Sequence, residues 1–403
     1  MNHPVNPHLL LSKAYYLFAV ITFFLAFQDS FAQTNDSIPF LYRGHLFFEG
    51  AINDTLDCNI LFDTGAANLF GVDSVFLDHS IWNPQERGYA QVPGGAGMTE
   101  IRIILDPTTV NIGSLFGEYQ IVPIFELRDV VDCHVDGILG IKDMLENPLE
   151  INFEKHYIKQ YKTGFPSTDG YFKMPIQYNN NRVMLNVSAI IGDKTIQGWY
   201  LMDTGSGGSI DFTAQTVARY QMESISGKRR IADILQFGIG DKKQEWCVDM
   251  LSDKIIFGND TILGEPISYI PEGVGAFGEM EYLGVIGNAI WSKYNIVIDA
   301  PQGVLYLKRI KGDYSPEPTY DYGFRNRTDI GKGWIVSWLE RDGDAVNAGM
   351  TLGDIITAVN GKSVTDYSWD EEEAVAEEPK QIIEITRADG SKKQIVLEAK
   401  KRW

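Results

Sequence analysis

Apolar residues fall along this chain in short runs and alternations, broken every few residues by Gly, Asn, Asp and Pro. From 37 to about 162, phrases such as FLYRGHLFFEGAI and IRIILDPTTVNIG have the period of strands and the punctuation of turns. The same texture returns over 171–311 in MPIQY, VMLNVSAIIG and YNIVIDAPQGVLYLKR. Helical periodicity is sparse, and short helices are expected only after Gly140 and Phe212. A Pro-rich stretch, GDYSPEPTYD, precedes a third segment with strands GWIVSWL, DIITAVNG, KQIIEITR and KKQIVLEA and a short helix near Ala345. Its acidic run DEEEAVAEE, 370–378, reads most simply as a solvated helix or loop face. The pattern predicts an all-β chain with few, short helices.

The two longer β segments repeat each other. NILFDTGAANLF in the first answers WYLMDTGSGGSI in the second. Each is followed by a Gly-apolar-apolar-Gly block, Gly137-Ile138-Leu139-Gly140 and Gly284-Val285-Ile286-Gly287, and then by a strand-turn-strand phrase. Landmarks matched in the same order predict two similar β lobes, 33–166 and 167–312, joined near TGFPSTDG (163–170). A linker over 313–321 and a C-terminal module over 322–403 complete the division.

Composition narrows the picture. Of 403 residues, 44% are hydrophobic and 22% charged, so sizeable cores are available. A formal net charge of −19 argues against nucleic acid or anionic lipid as partners, because both reward a basic face. The three cysteines, Cys58, Cys133 and Cys247, show no metal-binding spacing, so no metal and no cofactor are expected. Buried free thiols are the default, with a Cys58–Cys133 disulfide as the alternative. Residues 1–32 have the layout of a secretory signal: Lys13, an apolar run over 14–27, and Ser30-Phe31-Ala32 as a small-x-small cleavage site. The run is short for a spanning helix, which needs about 20 apolar residues; an uncleaved anchor is the alternative. The mature chain is expected to be periplasmic or secreted, with no stable membrane insertion.

One Asp-Thr-Gly is a weak signal, since three residues match by chance. Two copies, each behind an apolar strand and each with Gly after Thr, are stronger. Symmetric lobes bring such loops face to face. Two carboxylates within hydrogen-bonding range of one water share a proton, so one acts as base and the other as acid. These phrases, with GILG and GVIG, resemble the aspartic proteases of pepsin and retropepsin type over about 37–311. The resemblance implies a bilobal all-β fold, water-mediated peptide hydrolysis without a metal, and an extended polypeptide substrate. It implies Asp63 and Asp203 as the catalytic dyad and Thr64 and Thr204 as interlocking threonines. Gly65 and Gly205 permit close approach and offer N–H groups to the carboxylates. Since one chain supplies both halves, a monomer is expected.

The sequence departs from the pattern at Ala66, where pepsins usually carry a hydroxyl; Ser206 keeps one. A less stabilised anion has a higher pKa, so activity is expected at weakly acid to neutral pH. A flap is expected over 88–99, with Gly94, Gly95 and Gly97 at its tip; an ordinary β-turn loop is the alternative. Tyr89 lies closer to Asp63 than the flap tyrosine of pepsins. In the second lobe SISGKRR, with Gly227, is the matching tip candidate, or else a solvated basic loop. Gly205-Ser206-Gly207-Gly208 superficially resembles a serine-protease nucleophile loop. None of His45, His79, His134 or His156 sits in a motif for the base that it needs.

Residues 322–403 resemble a PDZ domain of the bacterial protease-associated type, in GKGWIVSWLERDGDAVNAGMTLGDIITAVNGKSV. The resemblance implies that Gly333, Trp334, Ile335 and Val336 take the place of the carboxylate-binding loop, receiving a peptide C-terminus by strand addition. A module that only packs on the lobes is the alternative. The expected function is an exported aspartic endopeptidase with substrate-tail recruitment or regulation by this module. The competing reading is a noncatalytic protein that holds peptides in the same cleft and groove.

Overall fold

A computed structural model describes residues 36–67, 69–78, 86–91, 98–141, 144–179, 181–235, 244–271, 281–312, 320–329, 331–387, 389–401 and 403. The fold is predominantly β, as the alternation predicts. The expected export segment, 1–32, lies outside the described residues. Among the described residues no helix is long and apolar enough to cross a membrane.

The strands that position the site come in two matched sets. The first comprises β1 (Leu46–Ile52), β2 (Leu56–Phe62), β3 (Phe70–Asp73), helix α1 (Ser74–Asp78), β4 (Glu86–Gln91), β5 (Met98–Ile104), β6 (Val122–Phe125) and β7 (Gly137–Leu139). Strand β8 (Leu149–Asn152) follows. The second set comprises β9 (Arg182–Ile191), β10 (Lys194–Met202), β11 (Ile210–Phe212), helix α2 (Ala214–Tyr220), β12 (Arg229–Ile234), β13 (Glu245–Leu251), β14 (Pro266–Tyr269) and β15 (Gly284–Ile286).

Their pairings correspond one for one. Strand β7 runs parallel to β2 and antiparallel to β3, as β15 does to β10 and β11. Strand β6 runs parallel to β3 and antiparallel to β5, as β14 does to β11 and β13. The hairpins β1–β2 and β4–β5 answer β9–β10 and β12–β13. The sequence repeat is therefore a repeat of topology. Strand β8 pairs antiparallel with β16 (Tyr294–Asp299), both wholly buried, so a shared sheet joins the two sets under one continuous apolar core.

Helix α2, expected after Phe212, is capped by Thr213, whose hydroxyl accepts from Thr216 N, and ends at Gln221 in the left-handed region. The expectation of a helix after Gly140 falls partly on residues 142–143, outside the described residues.

The C-terminal segment has its own core around Tyr322, Trp334, Val336 and Ile383. Its elements are β17 (Phe324–Asp329), β18 (Gly333–Glu340), α3 (Asp344–Asn347), β19 (Ile355–Val359), α4 (Trp369–Ala376), β20 (Lys380–Thr386) and β21 (Lys392–Glu398). In β20 the buried positions are Gln381, Ile383 and Ile385, the alternation of a half-buried strand. Strands β17, β18, β19, β20 and β21 pair in that order, all antiparallel. The C-terminal part of β18 also pairs with β12, Ile234 opposite Trp338, which joins this segment to the second strand set.

The acidic run is largely exposed, as a solvated helix face is, but the start of its helix is docked. A capping box of Ser368 and Glu371 starts α4. Its first residue, Trp369, lies edge-on to Phe47 and stacked on His134, with centroids 5.2 and 4.5 Å away. Arg43 reaches Asp370 and Glu373. The charge pattern gave no sign of this docking, because its partners Phe47, His134 and Arg43 lie far away in the sequence.

Candidate active site

Both Asp-Thr-Gly loops begin where a buried strand ends. Asp63 follows β2 and Asp203 follows β10, and their backbone N–H groups donate to Leu139 O at 2.9 Å and Ile286 O at 3.0 Å. The Gly-apolar-apolar-Gly strands β7 and β15 thus brace the loops from below. Bulk is excluded there: a Cβ on Gly140 would lie 2.4 Å from Ala67 O, and one on Gly287 2.5 Å from Gly208 O. Asn288, fully buried, donates to Thr204 O at 2.7 Å and Gly44 O at 2.9 Å.

The two loops meet across the pseudo-twofold. Thr64 N donates to Thr204 Oγ1 and Thr204 N to Thr64 Oγ1, both at 3.0 Å. The hydroxyls donate in turn to Met202 O and Phe62 O at 2.7 and 2.8 Å. Both threonines are wholly buried, so no water competes for these bonds. The glycines bring the aspartates together: a Cβ on Gly65 would sit 2.9 Å from Asp203 Cγ, and one on Gly205 2.4 Å from Asp63 Cγ. Gly65 N and Ala66 N donate to Asp63 Oδ1 at 2.7 and 3.1 Å, and Gly205 N to Asp203 Oδ1 at 2.9 Å.

The carboxyls of Asp63 and Asp203 lie within hydrogen-bonding reach of each other. Burial pushes Asp63 up, offset in part by the hydrogen bonds from Asp203, Gly65 and Ala66. Burial, then the Asp63 charge, pushes Asp203 well above the usual carboxylate range. The pair therefore retains a proton where separate carboxylates would have lost theirs.

The hydroxyl of Ser206 does not reach the dyad. It donates to Asp211 Oδ2 at 3.2 Å and accepts from Gly208 N at 3.2 Å. Ser206 supports its loop, and neither Asp63 nor Asp203 receives a hydroxyl bond from the residue after its glycine.

A cavity of about 570 Å³ opens above the dyad. Several of its walls belong to no motif in the sequence. Asp211, on β11, is pushed up to about 6 by burial. Asp249, on β13, accepts from Ser268 Oγ at 2.6 Å. Arg128 is engaged by Asp136 and by the carbonyl of Val135. Their signal was faint: a lone Asp within an apolar strand phrase, as in SIDF and WCVDML. Cys133 also lines the cavity, beside His134 Nδ1 at 3.2 Å. Asp132 and then Cys133 hold the His134 imidazole up to about 10 by hydrogen bonding. All three cysteines are free thiols, so Cys58 and Cys133 are not paired.

The flap glycines Gly94, Gly95 and Gly97 lie outside the described residues; β4 and β5, which lead into and out of them, pair from Glu86↔Ile103 to Gln91↔Met98. Gly227 is a correction. It sits before β12, whereas the connection between β12 and β13, the counterpart of 92–97, is 235–244, of which 236–243 lie outside the described residues. Gly227 faces Met250 Cε and not the dyad cavity.

The groove at Gly333, Trp334, Ile335 and Val336 is a second correction. Strand β18 is paired with β17 along one edge and with β19 and β12 along the other, so it offers no edge to an added strand. Trp334 and Val336 are core residues, and a Cβ on Gly333 would lie 2.5 Å from Ile356 O.

No model of a known protein family matches the chain, and comparison with curated proteins finds no match.

Proposed function

We propose that the chain is an exported aspartic endopeptidase, with a bilobal catalytic unit of the pepsin and retropepsin kind followed by a PDZ-like module. The observation that carries this reading is the reciprocal bracing of the Asp63 and Asp203 loops through Thr64 and Thr204. Such bracing holds two half-buried carboxyls face to face, an arrangement that costs stability and has a use in acid–base chemistry.

In the proposed mechanism one carboxylate removes a proton from water as the water attacks the scissile carbonyl. The protonated partner donates to the carbonyl oxygen, and the proton then passes to the leaving amine. The backbone N–H groups of Gly65, Ala66 and Gly205 fix the carboxyl orientations. The substrate is an extended polypeptide, and a single chain carries both halves of the dyad.

A peptide in which a secondary alcohol replaces the scissile amide mimics the tetrahedral intermediate. It should bind at least about 100-fold more tightly than the parent peptide. Equal binding of the two would leave a peptide-holding cleft without this chemistry.

A further inference from the structure

The loop between β6 and β7 carries three donors in a row, Asp132, Cys133 and His134. A turn closed by Val135 N, which donates to Asp132 O at 3.2 Å, folds them together. There His134 Nδ1 lies 2.8 Å from Asp132 Oδ1 and 3.2 Å from Cys133 Sγ. One ligand atom from each residue lies within 4.8 Å of the others. Carboxylate oxygen, sulfur and imidazole nitrogen are donors that suit zinc and other borderline divalent cations. Cysteine spacing misses such a set, because it holds one cysteine.

The loop is rigidly built around these donors. Leu127 and Val135, on either side, are wholly buried. Arg128 ties the two arms together: its backbone N–H donates to Asp73 Oδ2 at 2.9 Å and its Nε to Val135 O at 3.1 Å. Donors on a supported loop lose little freedom on binding. All three are half-buried, so a cation can reach them from solvent.

A fourth donor comes from the C-terminal module. Trp369 stacks on His134, and Glu372 lies three residues further on, on the same face of α4. Of the four acidic residues 370–373, Glu372 alone is half-buried, and it lines the same cavity as Asp132 and Cys133. Besides the dyad, five carboxylates line that cavity against three arginines, a field that attracts cations.

We propose that Asp132, Cys133, His134 and Glu372 bind a zinc-type divalent cation, which ties α4 to the first strand set at the wall of the dyad cavity. Binding displaces the thiol proton, and the ligating ring nitrogen is unprotonated. This binding is independent of the protease reading of the dyad.

Cobalt(II) reports such a site optically, since a thiolate ligand adds a near-ultraviolet charge-transfer band that oxygen ligands do not. The reduced, metal-free chain beginning at residue 33 is titrated with Co2+, and Zn2+ affinity is read by displacement. The expected result is the band at one equivalent, its loss in folded Cys133→Ser, and its bleaching by Zn2+. Cys58 and Cys247, both buried, should contribute nothing to it. Glu372→Gln, which keeps the shape of the side chain, should weaken Zn2+ binding at least about tenfold. Zn2+ should also slow hydrogen exchange over 369–376 in the wild type. No band, or a band that Cys133→Ser retains, overturns the site. Unchanged Zn2+ affinity in Glu372→Gln, or exchange over 369–376 that Zn2+ does not slow, overturns the bridge to α4.

Discussion

Thr64 and Thr204 close a ring of four hydrogen bonds between the two Asp-Thr-Gly loops, each hydroxyl accepting the other's backbone N–H and donating to the carbonyl before the other's aspartate. Thr64→Val or Thr204→Val keeps the shape but leaves a buried N–H and a buried carbonyl unpaired, at about 1–3 kcal/mol for each group. Each single variant should lower the urea midpoint. The double variant should cost less than the sum, because the two residues touch. Full additivity would mean that the bonds do not form one unit.

Close approach predicts an asymmetry between the glycines. Neither Gly65 nor Gly205 has a positive φ, so the penalty for alanine is steric. The added Cβ would lie 2.4 Å from Asp63 Cγ at Gly205 but 2.9 Å from Asp203 Cγ at Gly65. Gly205→Ala should therefore lose more activity and more thermal stability than Gly65→Ala. Equal, mild losses would show that the loops separate more readily than this geometry allows.

Asp211 gives a pH prediction of definite sign. Its carboxyl is raised by burial to about 6, above its value in the unfolded chain. Between about pH 4 and 6 the folded state binds more protons than the unfolded state, so this group's contribution to stability falls as pH rises. Asp211→Asn, which still accepts from Ser206, should raise Tm relative to the wild type at pH 7. The gain should vanish below about pH 4. A gain that persists at low pH would assign the effect to packing.

Arg230 joins the C-terminal module to the second strand set through Asp321 and Glu340, with its guanidinium 4.8 Å from the centre of the Trp338 ring. Arg230→Met removes this cation from both carboxylates. They are partly exposed, so the loss should be on the order of 2 kcal/mol, less than for full burial. Calorimetry should show residues 320–403 unfolding earlier than the rest. A single unchanged transition would mean that β12–β18 pairing alone sets this interface.

The repeat was legible because it recurs in the same order around NILFDTGAANLF and WYLMDTGSGGSI, and the strand pairings follow it one for one. Asp63, Asp203 and their threonines were readable for the same reason: local motifs carry local geometry. The cavity walls were not. Asp211 and Asp249 reach the site through sheet register, and Arg325 through the docking of a separate segment. The groove assigned to Gly333–Val336 failed because a strand phrase does not reveal which neighbours occupy its edges. Ser206 was placed in the right loop, but its hydroxyl turns to Asp211. Neither aspartate then has a hydroxyl donor in the residue after its glycine, which keeps the expectation of a weakly acid to neutral optimum.

The most direct measurement is cleavage of a reduced, alkylated unfolded protein across a pH series, by the chain beginning at residue 33 and by its Asp63→Asn and Asp203→Asn variants. The account predicts cleavage with an optimum at weakly acid to neutral pH, and a loss of at least about 100-fold in each variant. Cleavage that survives both substitutions, or no cleavage by the wild type at any pH, would contradict it.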